Sequence, residues 1–223
     1  MTFSRLEHIE VRHLTTNQPF CAGVILIHQG NLVVTLHSNG LPAARGKGDT
    51  YRVSGVSGGQ EPGETVWDCA AREAKEELGT QVQILSSPCS YFHDIDSGQV
   101  YEVSCKDSVA PFLLERQSNL YPYTSSRPGL PSGPYTYFGL FLAQAQQGMI
   151  QPGNAVQGLL FIPLRLWNLL LQEPTLASVL EQGGHLIERE PLLRTHRLWV
   201  HPHESFGVAA TLLKNHPELL QSV

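Results

Sequence analysis

The sequence predicts an α/β protein of the α+β type, a mixed β-sheet with helices packed against it and a helical C-terminal extension. Three observations carry this. Runs of β-branched and aromatic residues bounded by turn residues, clearest at Phe20–His28 and Tyr135–Ala143, read as strands. Helical periodicity is confined to a few segments. The first is residues 65–78, where Val66, Ala70, Ala74 and Leu78 form one apolar stripe that Trp67 and Ala71 widen. Between residues 51 and 85 the order is strand, loop, helix, strand.

Taken in order, residues 1–19 alternate weakly and predict an edge strand. Phe20–His28 pairs with Leu32–Leu36 across a Gln29-Gly30-Asn31 turn. Residues 38–50 are small and polar and read as a loop, with Arg45 and Lys47 as its cations. Tyr51–Val56 is a short strand leading into the glycine-rich loop Gly58–Gly63, where Pro62-Gly63 signals a turn. Thr65 and Asp68 are spaced as a capping box, and Gly79 is the expected C′ glycine. Strands follow at Gln81–Leu85 and Tyr91–Asp94.

Residues 94–134 read as an insertion or long loop holding a strand at Gln99–Ser104 and an apolar patch at Val109–Leu114. The Pro/Gly/Ser/Tyr-rich run that ends it predicts a lid or a homodimer contact. Tyr121, Tyr123 and Tyr135 are candidates to stack on a base, and Arg127 to pair with phosphate. Beyond it lie the strand Tyr135–Ala143, a polar loop at 144–154, the strand Leu159–Pro163 and a helix over 164–171. Helices are expected at Thr175–Gln182 and Glu204–Asn215, the second with Val208, Leu212 and Leu213 inward. Glu188–Pro202 reads as irregular, with a short strand at Arg197–Val200.

Glu73, Glu76 and Glu77 stand i, i+3 and i+4 on the first helix, so all three project from one side. Like charges at that spacing oppose one another's ionisation, and a hard divalent cation removes the conflict. Arg72 is placed to reach Asp68 or Glu76 one turn away and to brace the loop through Glu64. A solvated helix face is the competing explanation of such a charge run.

The segment Gly58–Thr80 resembles the Nudix box, G-x5-E-x7-R-E-U-x-E-E-x-G-U with U aliphatic. Gly58, Glu64, Arg72, Glu73, Glu76, Glu77 and Gly79 fill every fixed position. Chance would produce such a match on the order of once in a million chains of this length. Ala74 and Thr80 occupy the two U positions, and Ser57 stands where the family often has a second glycine. The resemblance implies the Nudix fold, a mixed β-sheet sandwiched between helices, in a single domain over 1–223. Its core would span about 18–172, with residues 173–223 as the C-terminal helical extension. It implies a pyrophosphohydrolase using Mg2+, or Mn2+, on a nucleotide-type small-molecule substrate. Glu76 and Glu77 are then the expected direct metal ligands, Glu73 a shared candidate for ligand or general base, and a backbone carbonyl at Ser57 or Gly58 a further ligand. Glu102 and Glu115 are alternative bases. Arg72 and Glu64 orient helix and loop, Gly58, Gly63 and Gly79 are conformational, and Arg45, Lys47, Tyr123 and Arg127 are the substrate-binding candidates.

Composition narrows the classes. The formal net charge is −5 with no basic run, which argues against a nucleic-acid partner and against decapping. No C-x-x-C pair occurs, and Cys21 and Cys69 read as small core residues. Cys89 and Cys105 are the thiols an isomerase of this family would draw on. The His196, His201 and His203 group lacks an acidic or thiol neighbour at ligand spacing and reads as a surface turn. Neither a signal peptide nor a membrane span is expected, and the cytoplasm is the expected compartment. Marks of the ADP-ribose, coenzyme A and diadenosine polyphosphate subgroups are missing outside the box. The alternative to hydrolysis is a nucleotide-sensing module of the same fold, which loss of a box carboxylate would have favoured.

Overall fold

A computed structural model describes residues 8–42, 48–119, 129–146 and 148–215. In chain order the elements are β1 (His8–Ile9), α1 (Val11–Thr15), β2 (Phe20–His28), β3 (Asn31–His37), β4 (Thr50–Ser54), β5 (Val56–Gly59), α2 (Val66–Leu78), β6 (Val82–Leu85), β7 (Ser90–Asp94), β8 (Gln99–Cys105), β9 (Leu113–Ser118), β10 (Tyr135–Ala145), β11 (Gly158–Pro163), a 3-10 helix (Leu164–Gln172), α3 (Leu176–Glu181), β12 (His185–Glu188), β13 (Arg197–Val200) and α4 (Ser205–Asn215). They build a mixed sheet with a few helices, as the sequence predicts.

The described residues form two compact units. One comprises 8–24, 57–73, 84–119 and 129–142, the other 25–42, 48–56, 74–83, 143–146 and 148–215. In the first, β1 runs parallel to β8, β8 antiparallel to β7, β7 parallel to β9, and β9 antiparallel to β10. Its core includes Phe112, Leu113, Leu114, Phe141 and the α2 residues Val66, Cys69 and Ala70, each fully buried. Burial of side chains of the Leu and Phe size contributes about 1.5–3 kcal/mol apiece.

In the second unit β3 lies between β11 and β4, β12 extends β11, and β13 runs parallel to β4. The β2–β3 hairpin closes with His28 opposite Asn31. Gln29 and Gly30 both take positive φ, 49° and 74°, the signature of a type I′ turn that matches strand twist.

Several expectations are corrected. The predicted edge strand over 1–19 ends at Ile9, and a helical turn follows. Asp107 accepts hydrogen bonds from the Val11 and Arg12 amides, at 2.6 and 3.4 Å, and so starts α1. Within 94–134 the strand expected at Gln99–Ser104 is present as β8, while β9, which was not expected, pairs in the sheet beside β7. β9 carries Glu115 and Arg116 within the sheet. Its charges are met in register across β7, Glu115 by His93 at 2.7 Å and Arg116 by Asp94 at 2.6 Å. The glycines at 58 and 59 lie in β5, so the true loop is shorter than expected.

The C-terminal region adds strands β12 and β13 to its helices, and the segment after β11 is a 3-10 helix. On α4 the buried residues are Phe206, Gly207, Ala209, Ala210 and Leu213, while Val208 and Leu212 are only half-buried.

Candidate active site

The box helix begins where its own side chains dictate. The Thr65 amide donates to Asp68 Oδ2 at 3.1 Å, and the Asp68 amide donates to Thr65 Oγ1 at 3.2 Å. This is a reciprocal capping box with Asp in the acidic position. Before it, Glu61–Glu64 form a turn closed by the Glu64 amide on the Glu61 carbonyl, at 3.2 Å, with Gly63 at φ 83°. Proline second and a positive-φ glycine third define a type II turn. Gly79 at φ 65° ends the helix.

Arg72 organises the loop end. Its Nε donates to Glu64 Oε1 at 2.7 Å and its Nη2 to Glu64 Oε2 at 3.1 Å. Nη2 also donates to the Gly59 carbonyl at 2.8 Å, and Nη1 to Glu73 Oε1 at 2.7 Å. One guanidinium therefore joins the turn, the end of β5 and a box carboxylate. The hydrogen bond from Arg72 holds the Glu64 carboxyl below the usual glutamate range. The same two carboxylates keep Arg72 protonated.

Glu73 is buried, with its carboxylate packed over Gly58. A Cβ at Gly58 would overlap that carboxylate, so only glycine permits the approach. Cys69 donates its S–H to the Gly58 carbonyl at 3.6 Å. Burial pushes the Cys69 thiol up to about 12, so it stays protonated and able to donate. The Gly58 carbonyl, expected as a metal ligand, thus already accepts one weak bond.

The other end of the helix is fixed by the end of the polar loop that precedes residue 155, a contact the sequence did not indicate. The amides of Gln151 and Gly153 donate to the carbonyls of Leu78 and Glu77, at 2.9 and 2.8 Å. They satisfy acceptors that a helix C-terminus leaves open. A Cβ at Gly153 would overlap the Glu76 carbonyl, so this docking also needs glycine. The Pro152-Gly153 pair was its only trace in the sequence. Glu76 is exposed and Glu77 half-buried. Among the described residues no three His, Cys, Asp or Glu side chains converge closely enough to hold an ion by themselves. Glu73 is paired with Arg72 at 2.7 Å.

The remaining candidates separate. Glu115 is buried in β9 on the His93 ring nitrogen, and Glu102 is exposed on β8. Tyr135 packs under the Arg116 guanidinium, 4.8 Å from ring centroid to Cζ. Arg45, Lys47, Tyr121, Tyr123 and Arg127 lie outside the described residues. His201 packs its ring on Trp199 and accepts from the His203 amide.

Residues 18–119 match the family model of the NUDIX domain, a span that contains the whole box. No curated protein matches the chain. Among solved structures, similarity is found to a NUDIX-family hydrolase from Clostridium perfringens, at 15% identity over 92% of this chain and 98% of that one, with a TM-score of 0.43. A NUDIX hydrolase from Nitrosomonas europaea shares 18% identity over 67% of this chain and 62% of its own, with a TM-score of 0.36. An Ap4A hydrolase of C. elegans shares 15% identity over 74% and 93%, with a TM-score of 0.38. None of these structural likenesses bears on substrate. With every fixed position of the box filled, its arginine joining loop, strand and helix, and the domain model matched across the segment, residues 18–119 are a NUDIX domain.

Proposed function

We propose that the protein is a magnesium-dependent pyrophosphohydrolase acting on a nucleoside diphosphate linked to another moiety, of the nucleotide-sugar, ADP-ribose or dinucleotide type, with Mn2+ able to replace Mg2+. The observation that carries this reading is the Arg72 clamp. It ties Glu64 to the loop and orients Glu73, with Glu76 exposed and Glu77 half-buried on the following turn.

These residues suit a hard cation. Magnesium takes one or two carboxylates and completes its shell with water and substrate phosphates, so a closed protein cage is not required. Glu76 and Glu77 would hold it. When bound, the ion neutralises phosphate charge and lowers the pKa of water. The Glu73 carboxylate, oriented by Arg72, is the base that takes the proton of the attacking water. The water oxygen bonds to phosphorus, the bridging P–O bond breaks, and the products are a nucleoside monophosphate and a phosphorylated remainder. Four free thiols suit a reducing compartment such as the cytoplasm. None of the described helices is long and apolar enough to cross a membrane.

The test is a panel of nucleotide-sugars, ADP-ribose, NADH, dinucleoside polyphosphates, coenzyme A and free triphosphates, assayed with magnesium and with chelator, beside Glu77→Gln. Turnover of one class that vanishes with chelator and in the variant supports the reading. Silence across the panel, or full activity in folded Glu77→Gln, removes it.

A further inference from the structure

A cavity of about 380 Å³ is lined by residues of α1 and of β7, β9 and β10, and no residue of the 58–80 segment contributes to it. Its size falls within the range of small-molecule sites. Its walls include Ile9, Leu14, Phe92, Lys106, Arg116 and Tyr137. Strand register sets its floor. Arg116 on β9 stands opposite Tyr137 of β10 on one side and Asp94 of β7 on the other.

Three features of the lining converge on one kind of ligand. The first is a fixed cation. Arg116 Nη2 donates to Asp94 Oδ2 at 2.6 Å. The guanidinium lies over two rings, 5.5 Å from the Phe92 centroid and 4.8 Å from the Tyr135 centroid. One carboxylate and two rings hold it in place, so the donor is set before any ligand arrives. Its Nη1 has no hydrogen-bond partner among the described residues and is not sealed from solvent.

The second feature is a hydroxyl. Tyr137 is 4% exposed, and its Oη has no partner among the described residues. The oxygen is not sealed in, and the cavity is where this residue meets solvent. Burial raises the phenol above its ordinary range, so it stays a protonated donor, and the Arg116 charge acts on it as a near neighbour. Two donors on directly opposed strand positions suit a group that only accepts, and a carboxylate is such a group.

The third is charge balance. Lys106 pairs with Glu10 at 3.3 Å, both more than half exposed, an arrangement worth little. Beside His8 and His13, the charged groups here are this pair, Arg116 and, behind it, Asp94. Two cations therefore face two carboxylates. One added negative charge is met by the donors in place, whereas a diphosphate or polyphosphate brings more charge than the walls offset. Ile9, Leu14 and Phe92 supply the apolar surface.

We propose that this cavity binds a small monocarboxylate with an apolar body, the carboxylate accepting from Arg116 Nη1 and the Tyr137 hydroxyl and the body resting against Phe92 and Leu14. The site shares no residue with the box, and the inference does not rest on the hydrolase reading.

Phenylacetate and phenylacetamide separate the idea from its rivals, since they share a shape and differ in charge. Binding to the full chain is measured by equilibrium dialysis and thermal shift, in chelator and without nucleotide. Phenylacetate is expected to bind saturably in the millimolar range or tighter, and phenylacetamide about ten-fold more weakly. Tyr137→Phe removes one oxygen and keeps the ring, and is expected to weaken phenylacetate about ten-fold. Arg116→Gln is expected to abolish saturable binding. Because that variant also strands Asp94, Tyr137→Phe is the deciding one. No saturable binding of phenylacetate, equal binding of the amide, or wild-type affinity in Tyr137→Phe overturns the proposal. Inorganic phosphate that displaces phenylacetate at equal concentration would mark a general anion site and overturn it as well.

Discussion

Arg72 grips Glu64 with two N–H···O bonds, 2.7 Å from Nε and 3.1 Å from Nη2, across eight residues of chain. Both side chains are mostly covered, at 20% and 16% exposure. The fork geometry is one that arginine supplies and lysine does not. Arg72→Lys is therefore expected to behave nearly as badly as Arg72→Ala. Each should cost on the order of 2 kcal/mol, because removal strands Glu64 and Glu73 together. Urea unfolding of the two variants checks this, and a lysine variant as stable as wild type would show that charge alone suffices.

Gly58 and Gly59 are adjacent in β5 but differ in what a methyl group would meet. At Gly58 it would overlap the Glu73 carboxylate, and at Gly59 it would enter open space. Gly58→Ala should displace Glu73 from Arg72 and lower turnover by roughly a hundred-fold, the scale expected for a catalytic group misplaced by about 1 Å. Gly59→Ala should stay within a few-fold of wild type. Steady-state kinetics on the pair, with circular dichroism to confirm folding, gives the comparison. Equal activity in both would show that the Glu73 position is irrelevant to the chemistry.

The box helix is the most legible part of the sequence because its boundaries have local causes. Thr65 and Asp68 cap each other, and Gly79 alone takes the left-handed stop. β9 was not legible, since Glu115 and Arg116 look like loop charges until β7 brings His93 and Asp94 into register with them. α1 depends on Asp107, 96 residues away from Val11. The box carboxylates could be picked out from their spacing, but the contacts that orient them could not. Gly153 against the helix end and Cys69 on the Gly58 carbonyl are tertiary contacts with no periodic signature.

The three box carboxylates should divide into two classes when replaced by their amides. Glu73 is buried on Arg72, whereas Glu76 is exposed and Glu77 half-buried. Glu76→Gln and Glu77→Gln should raise the magnesium or manganese concentration needed for half-maximal rate. Glu73→Gln should leave that concentration nearly unchanged while lowering kcat by roughly a hundred-fold or more, as loss of a general base does. Metal titrations of rate for the three variants read the split. A Glu73→Gln variant rescued by excess metal would place that residue among the ligands instead.

Acid sensitivity should come first from His37. Burial, with the nearby Arg52 charge adding to it, lowers its pKa from 6.5 to about 4. The ring is 8% exposed and its Nε2 lies 2.9 Å from Thr35 Oγ1. The folded chain therefore keeps His37 neutral where the unfolded chain protonates it. Above pH 6.5 the two states bind the same number of protons at this site. As pH falls from 6.5 toward about 4 the unfolded state binds more, and stability drops by up to about 3 kcal/mol. Glu64 acts lower on the scale. Its depressed pKa contributes stability that is present above the ordinary value of 4.5 and is lost as pH falls through the folded value. Urea midpoints measured across pH should thus decline in two stages. His37→Gln should flatten the first stage and leave the second, and Glu64→Gln should do the opposite. A His37→Gln variant that declines between pH 6.5 and about 4 as steeply as wild type would assign the first stage to another group.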